Sequence, residues 1–296
     1  MIDKFRGTGT AVVTPFHREG NIDFRSLENI IEHQISSGVN YLVFLGTTGE
    51  AVTLSGDEKS AVINFAIEIV NGRLPLVIGI GGSNTRQILD TIRQMSFEGV
   101  DAVLSVSPYY NKPQPKGIFY HYREIGGMCP VPVIIYNVPG RTSSNIDADT
   151  TLKIACEIPN IIGVKEASKD LEQCARIIKY RPDDFLVISG NDELTLPFMA
   201  LGGDGVISVI ANAFPAEFSA MVRLCIDGNF SGAREIHLKL LDFIQAIYAD
   251  GSPSGVKALM EMKGLCNNVL RLPLVKINKG LNYHISSLLS DMEKGK

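Results

Sequence analysis

From residue 7 onward, short apolar runs rich in Val and Ile alternate with amphipathic stretches of helical length. This is the pattern of βαβ units, in which each strand is followed by a crossover helix and lies parallel to its predecessor. The spacing predicts strands near residues 8–14, 40–45, 76–80, 101–106, 132–136, 161–165, 185–189 and 205–209. Their positions are apolar almost throughout rather than alternately, which fits strands buried on both faces. A (β/α)₈ barrel (TIM barrel), with layers of side chains inside and helices outside, accommodates such a set. A doubly wound open sheet answers to the same alternation. Helix starts punctuate the pattern: Ser55-Gly56-Asp57-Glu58 reads as a capping box, Asn84 through Gln87 resembles one, and Pro215 sits in a first helical turn.

Beyond the last strand the period changes, and residues 216–228, 231–249, 254–266 and 280–292 all read as helical. The expected organisation is therefore a catalytic barrel over 1–228 and a C-terminal helical appendage over 229–296.

Composition narrows the class of function. Apolar residues make up 45% and charged residues 20% of the chain, which supports a large core and argues against disorder. A net charge of -4, with no basic block, gives no footing for nucleic acid or an anionic membrane. No apolar run reaches the length of a membrane span and no apolar export segment opens the chain, so a cytoplasmic protein is expected. Cys129, Cys156, Cys174, Cys225 and Cys266 are scattered and form no CxxC pair, and His17, His33, His121, His237 and His284 have no ligand spacing. The cysteines read as small core residues, and no metal site is expected.

In a (β/α)₈ barrel the loops at the C-terminal strand ends build the active site. Those ends carry Gly46-Thr47-Thr48-Gly49-Glu50, Tyr109-Tyr110-Asn111, Tyr136-Asn137, Lys165, Gly190-Asn191 and Ile207-Ser208. Lys165 closes the run Ile161-Ile162-Gly163-Val164 and is the only lysine embedded in an expected strand. A desolvated lysine there has the chemistry of a Schiff-base nucleophile, because burial disfavours its ammonium form. The same position also suits a lysine that reaches out to pair with Glu166. Tyr136, on the neighbouring strand, can exchange protons with an intermediate, and Thr48 can pass them between two phenols. The glycines around Thr47 and Thr48 let backbone N–H groups approach a carboxylate, although the segment also reads as an ordinary tight turn. Tyr109 and Tyr110 likewise read as aromatic packing under a loop. Gly79-Ile80-Gly81-Gly82 matches no nucleotide fingerprint, and Gly202-Gly203-Asp204-Gly205 lies on the opposite face of the barrel.

Taken together, the GTTGE segment at 46–50, Tyr110, Tyr136-Asn137-Val138-Pro139-Gly140-Arg141-Thr142 and Gly163-Val164-Lys165-Glu166 resemble the pyruvate-dependent class I aldolase superfamily that includes N-acetylneuraminate lyase. Within it, Arg141 and the Thr47-Thr48 pair resemble the 4-hydroxy-tetrahydrodipicolinate synthase family. The resemblance implies that pyruvate forms a covalent imine on Lys165, with its carboxylate on Thr47 and Thr48, and that no separate cofactor is needed. It implies that Arg141 holds the carboxylate of L-aspartate-4-semialdehyde, and that Tyr136, Thr48 and Tyr110 relay protons. Gly190 and the Ile207 carbonyl would line the pocket. A homo-oligomer, a tetramer built as a dimer of dimers, is implied, with Tyr110 acting across a subunit interface. A sugar-acid aldolase, disfavoured by Arg141, and a pyruvate-binding sensor without turnover stand beside this reading.

Two departures accompany the resemblance. Feedback-sensitive relatives carry His, His, Asn and Glu in a lysine-effector pocket where this chain has Gly56, Lys59, Ser83 and Gln87. A motif often written Asn-Pro-x-Pro-x-Lys appears as Ser252-Pro253-Ser254-Gly255-Val256-Lys257, for which the sequence offers no functional account.

Overall fold

A computed structural model describes residues 2–294. Met1, Gly295 and Lys296, the ends of the expected division into 1–228 and 229–296, lie outside the described residues. The strands are β1 Gly7–Ala11, β2 Tyr41–Phe44, β3 Leu76–Gly79, β4 Ala102–Val106, β5 Val133–Asn137, β6 Ile161–Glu166, β7 Leu186–Ser189 and β8 Gly205–Ser208. Each pairs in parallel with its successor and β8 returns to β1, so the sheet is a closed barrel and the open-sheet alternative falls away.

Two layers of apolar side chains follow from the strand period. Tyr41, Val43, Leu104, Ile134, Ile188 and Ile207 fill the interior, with Phe5 packed edge-on against Tyr41, ring centroids 5.8 Å apart. The intervening side chains, such as Leu42, Phe44, Ile135 and Val187, pack outward under the helices. This double burial is why the runs read as continuously apolar. It also explains why β1 is overextended the most: Val12 and Val13 remain buried past its end, where the Val12 amide still donates to Val43 O at 2.9 Å and the Val13 amide to Asn212 Oδ1 at 3.1 Å.

Helix starts follow local chemistry. Ser55 accepts the Glu58 amide at 3.2 Å and the Glu58 carboxylate accepts the Ser55 amide at 2.9 Å, completing the capping box. Asn84 supplies half of one, accepting the Gln87 amide at 3.3 Å. Pro215 opens the helix Pro215–Ile226. The tail folds as the helices Phe230–Ala249, Ser254–Met262 and Lys279–Glu293. Ser254–Met262 stops earlier than the expected 266 because Gly264, at φ +72°, turns the chain. Four of the cysteines are buried as expected, whereas Cys156 is exposed on the helix Ala148–Glu157. Among the described residues no helix is long and apolar enough to cross a membrane.

One irregularity matters for the site. On β5 and β6, Val133 pairs with Ile161 but Ile134 pairs with Gly163, so β6 carries one extra residue at this point. Gly163 permits it, since a Cβ there would lie 2.7 Å from the Leu186 carbonyl oxygen. Strict alternation from the outward Ile161 would aim Lys165 outward. The extra residue inverts the phase, so that Val164 packs outside and Lys165 shares the inner face with its register partner Tyr136.

Candidate active site

Lys165 lies at the C-terminal mouth of the barrel, 5% exposed, with Tyr136 beside it on β5 and Ile188 beside it on β7. Its Nζ stands 4.4 Å from the centroid of the Tyr136 ring. Burial, the largest effect, pulls its pKa down to about 8; the Asp192 carboxylate opposes this and the Arg141 guanidinium assists it. A free amine is therefore accessible near neutral pH. The alternative pairing with Glu166 does not occur. Glu166 points to the other face of β6, where its carboxylate accepts Asn137 Nδ2 at 2.9 Å, Gln173 Nε2 at 2.9 Å and the Ser168 amide at 2.7 Å.

The Tyr136 phenol is pushed up by burial, while the Arg141 charge and a hydrogen bond with the Thr47 side chain favour its phenolate. Thr47 is the threonine in contact with this phenol; Thr48 is buried at 4% exposure while Thr47 is open to solvent. Both sit in a turn closed by the Gly49 amide on Gly46 O and the Glu50 amide on Thr47 O, each 3.1 Å. Arg141 projects from the single turn Pro139–Thr142 after β5, and its Nη2 donates to the Ser252 carbonyl at 3.2 Å. Gly190 follows β7, and a Cβ at this position would meet Lys165 Cε at 3.1 Å and Ala167 Cβ at 2.7 Å. Only glycine leaves the lysine stem this passage. Ile207 is buried on the inner face of β8.

Tyr110 is the predicted residue that the chain does not bring to its own site. It is 92% exposed, and its φ of +70° is a strained value for a bulky side chain. Ser83 braces this loop: its hydroxyl donates to Tyr109 O at 2.5 Å, and its carbonyl accepts Asn111 Nδ2 at 3.2 Å.

Three features were not singled out from the sequence. Asp192, 1% exposed, lies just past Gly190 and acts electrostatically on Lys165. Tyr248, in the helix Phe230–Ala249, donates its hydroxyl to Asp192 Oδ2 at 3.2 Å. Its position among helical residues gave no signal, whereas an acid at a strand-end loop was a visible clue. The third is the link between the two motif ends. Lys257 Nζ, from the divergent 252–257 motif, pairs with the Glu50 carboxylate at the end of GTTGE, and both side chains are fully buried. Lys257 also donates to Val269 O at 2.9 Å, and Glu50 Oε2 accepts the Arg271 amide at 3.1 Å. The motif without a sequence-level account thus ties the tail to the barrel rim, through Ser252 to Arg141 and through Lys257 to Glu50.

Comparison with known proteins places this geometry. The profile of the dihydrodipicolinate synthetase family matches residues 4–292. A 4-hydroxy-tetrahydrodipicolinate synthase of Flavobacterium psychrophilum is 47% identical over 290 residues, covering 98% of this chain and 99% of the relative. A dihydrodipicolinate synthase of Thermotoga maritima superposes with a TM-score of 0.95 at 37% identity, covering 97% of this chain and 98% of the other. One from Acinetobacter baumannii, solved in complex with pyruvate, gives 0.93 at 37% identity, with 97% and 99% covered.

Proposed function

The chain belongs to the dihydrodipicolinate synthetase family, and we propose that it carries out its reaction on an imine between pyruvate and Lys165. The activity is that of a 4-hydroxy-tetrahydrodipicolinate synthase, a lyase of lysine and diaminopimelate biosynthesis. The observation that carries the residue assignment is the inward-facing, desolvated Lys165 amine set against the Tyr136 phenol.

In this reading the Lys165 amine attacks C2 of pyruvate, and the carbinolamine loses water to give an iminium. Loss of a C3 proton turns it into an enamine, whose C3 bonds to the aldehyde carbon of L-aspartate-4-semialdehyde while the aldehyde oxygen takes up a proton. The substrate amine then displaces Lys165 at C2 as the ring closes. Backbone amides of the 46–50 turn, with Thr47 and Thr48, receive the pyruvate carboxylate. Arg141, already oriented by the Ser252 carbonyl, offers its fork to the second carboxylate. The relay role expected for Thr48 passes to Thr47, whose side chain touches the Tyr136 phenol. Gly190 leaves room for the imine, and Ile207 walls the pocket.

Tyr110 completes the relay from a second copy of the chain. Its exposure, with Val52 at 85% and Tyr109 at 40%, leaves an apolar rim suited to an isologous partner, and a pair of such dimers gives a tetramer. The division at residue 228 follows the barrel's last helix, with the tail as an appendage that braces the mouth. A cytoplasmic setting supplies both substrates.

The deciding experiment is turnover of pyruvate with L-aspartate-4-semialdehyde, combined with borohydride trapping and peptide mapping. Label confined to Lys165 with turnover is expected. Label elsewhere overturns the assignment, and label without turnover indicates a sensor. Mixing Lys165→Ala with Tyr110→Phe chains tests the shared site. Hybrid dimers keep one intact site, so about a quarter of the unmodified activity returns on random pairing if sites are independent. No recovery above the parents means that Tyr110 serves its own chain.

A further inference from the structure

Glu166 takes no part in the reaction as drawn, yet it follows Lys165 directly on β6 and is 3% exposed. It lies on the outer face of that strand, where Val164, two residues earlier, simply packs against the helices. An apolar side chain would fill such a place at less cost, because a buried carboxylate must be met by hydrogen bonds. Its Oε2 accepts Asn137 Nδ2 and Gln173 Nε2, each at 2.9 Å, while its Oε1 accepts the Ser168 amide at 2.7 Å and shares Asn137 Nδ2 at 3.1 Å. These partners are all neutral amides. What the carboxylate supplies is therefore fixed direction, as fully satisfied buried networks do, and not an ion pair.

The network joins the segments that carry the site. Asn137 and Glu166 are the last register partners of β5 and β6, one step beyond Tyr136 and Lys165 and downstream of the extra residue in β6. Successive side chains on a strand face opposite ways, so a bond across the outer pair holds the inner pair in step. Asn137 Oδ1 also accepts the Ile146 amide at 2.9 Å, which closes the base of the segment bearing Arg141. The Glu166 carbonyl accepts the Gly190 amide at 2.7 Å, beside the passage for the lysine stem. From outside the barrel, Gln173 on the helix Leu171–Tyr180 completes the cluster through Asn145, whose Nδ2 donates to Gln173 Oε1 at 2.8 Å.

We propose that Asn137 and Glu166 are a positioning pair, bonded across the outer face of β5 and β6 so that the Lys165 amine and the Tyr136 phenol stay opposed and shielded on the inner face. The inference rests on Lys165 being the imine-forming lysine. Its Nζ ends a long flexible stem, and what fixes it 4.4 Å from the Tyr136 ring centroid is the register of the two strands. Were the strand ends to part, the amine would gain water and lose its alignment with the proton-exchanging phenol.

The test compares Glu166→Met, which fills the same space without accepting a hydrogen bond, with Glu166→Gln, which keeps the shape and one acceptor oxygen. The readouts are the pH dependence of pyruvate trapping by borohydride and kcat for condensation. Burial holds the amine at about 8, and Tyr136, Arg141 and Asp192, the other groups bearing on it, are unchanged in both variants. Glu166→Met is expected to move the acid limb to higher pH, as a loosened lysine regains solvent, and to lower kcat about ten- to a hundredfold with a smaller change in KM. Glu166→Gln should change both in the same directions by less. Loss of the Glu166 charge acting through space would shift the limb the opposite way. An acid limb that stays in place or moves to lower pH in folded Glu166→Met overturns the proposal, as does a kcat within about twofold of the unmodified value. Ile30→Ala, on the helix Phe24–Ser36 across the barrel, is expected to lower Tm with the limb in place; an equal shift there also overturns it. Should Glu166→Met fail to fold, Glu166→Gln decides by the same criteria. Absence of label on Lys165 in the unmodified protein would instead overturn the imine assignment itself.

Discussion

Lys257→Met isolates what the divergent tail motif contributes. The substitution keeps the length of the apolar stem and removes the ammonium, which contacts Glu50, donates to Val269 O and lies 4.3 Å from the centroid of the Phe16 ring. Glu50 is left fully buried with the Arg271 amide as its remaining donor. Removing one partner of a buried ion pair costs about 3–5 kcal/mol, because the surviving carboxylate is out of water and keeps only the neighbouring Arg271 as a positive charge. For a chain of this size that corresponds to a fall in Tm of roughly 5–8 °C. Chemical denaturation of the Lys257→Met, Glu50→Gln and double variants gives the coupling directly. The double variant should recover much of the loss, since a neutral amide in place of Glu50 no longer needs the cation, and the coupling should reach about 2 kcal/mol or more. The KM for pyruvate should rise in the single variant, because Glu50 terminates the turn that carries Thr47 and Thr48. A cost below about 1 kcal/mol, the value of an exposed pair, refutes the reasoning, as does simple additivity.

Three further outcomes follow from the site. With the Lys165 pKa pulled down to about 8, chiefly by burial, borohydride trapping of pyruvate should fall about tenfold per pH unit below that value and level off above it. A rate still climbing towards the ordinary lysine range would mean that the amine is not desolvated. Arg141→Ala should preserve trapping, its acid limb moving slightly to higher pH as a neighbouring positive charge is lost. Condensation should weaken by about 1.5–3 kcal/mol, or roughly ten- to a hundredfold; equal loss in both steps would make Arg141 structural. Lysine should inhibit poorly, since Gly56 and Lys59 offer it no carboxylate or imidazole and Ser83 is committed to the 109–111 loop. Inhibition well below millimolar concentration in the turnover assay would refute this.

The barrel itself was legible along the chain. Strands buried on both faces must be apolar throughout, and helices between them must show one apolar stripe, so the order of elements survives in one dimension. The capping box at Ser55 and the early end of Ser254–Met262 rest on backbone chemistry close in sequence, the first marked by a recognisable motif and the second by a single glycine. Lysine at a strand end and arginine after Pro139-Gly140 were also visible, because their residue types are unusual for those positions.

What the sequence could not decide was direction and company. The inward aim of Lys165 depends on one extra residue in β6 opposite β5, and a register shift between two strands leaves no mark in the composition of either. The choice of Thr47 over Thr48 as the partner of Tyr136 turns on which way each side chain faces within a turn. Tyr248 meets Asp192 across 56 residues, and Lys257 meets Glu50 across 207. Such contacts exist only once closure of the barrel has brought the tail onto its rim. Local patterns record which surfaces must leave water, and packing alone determines which buried charges meet.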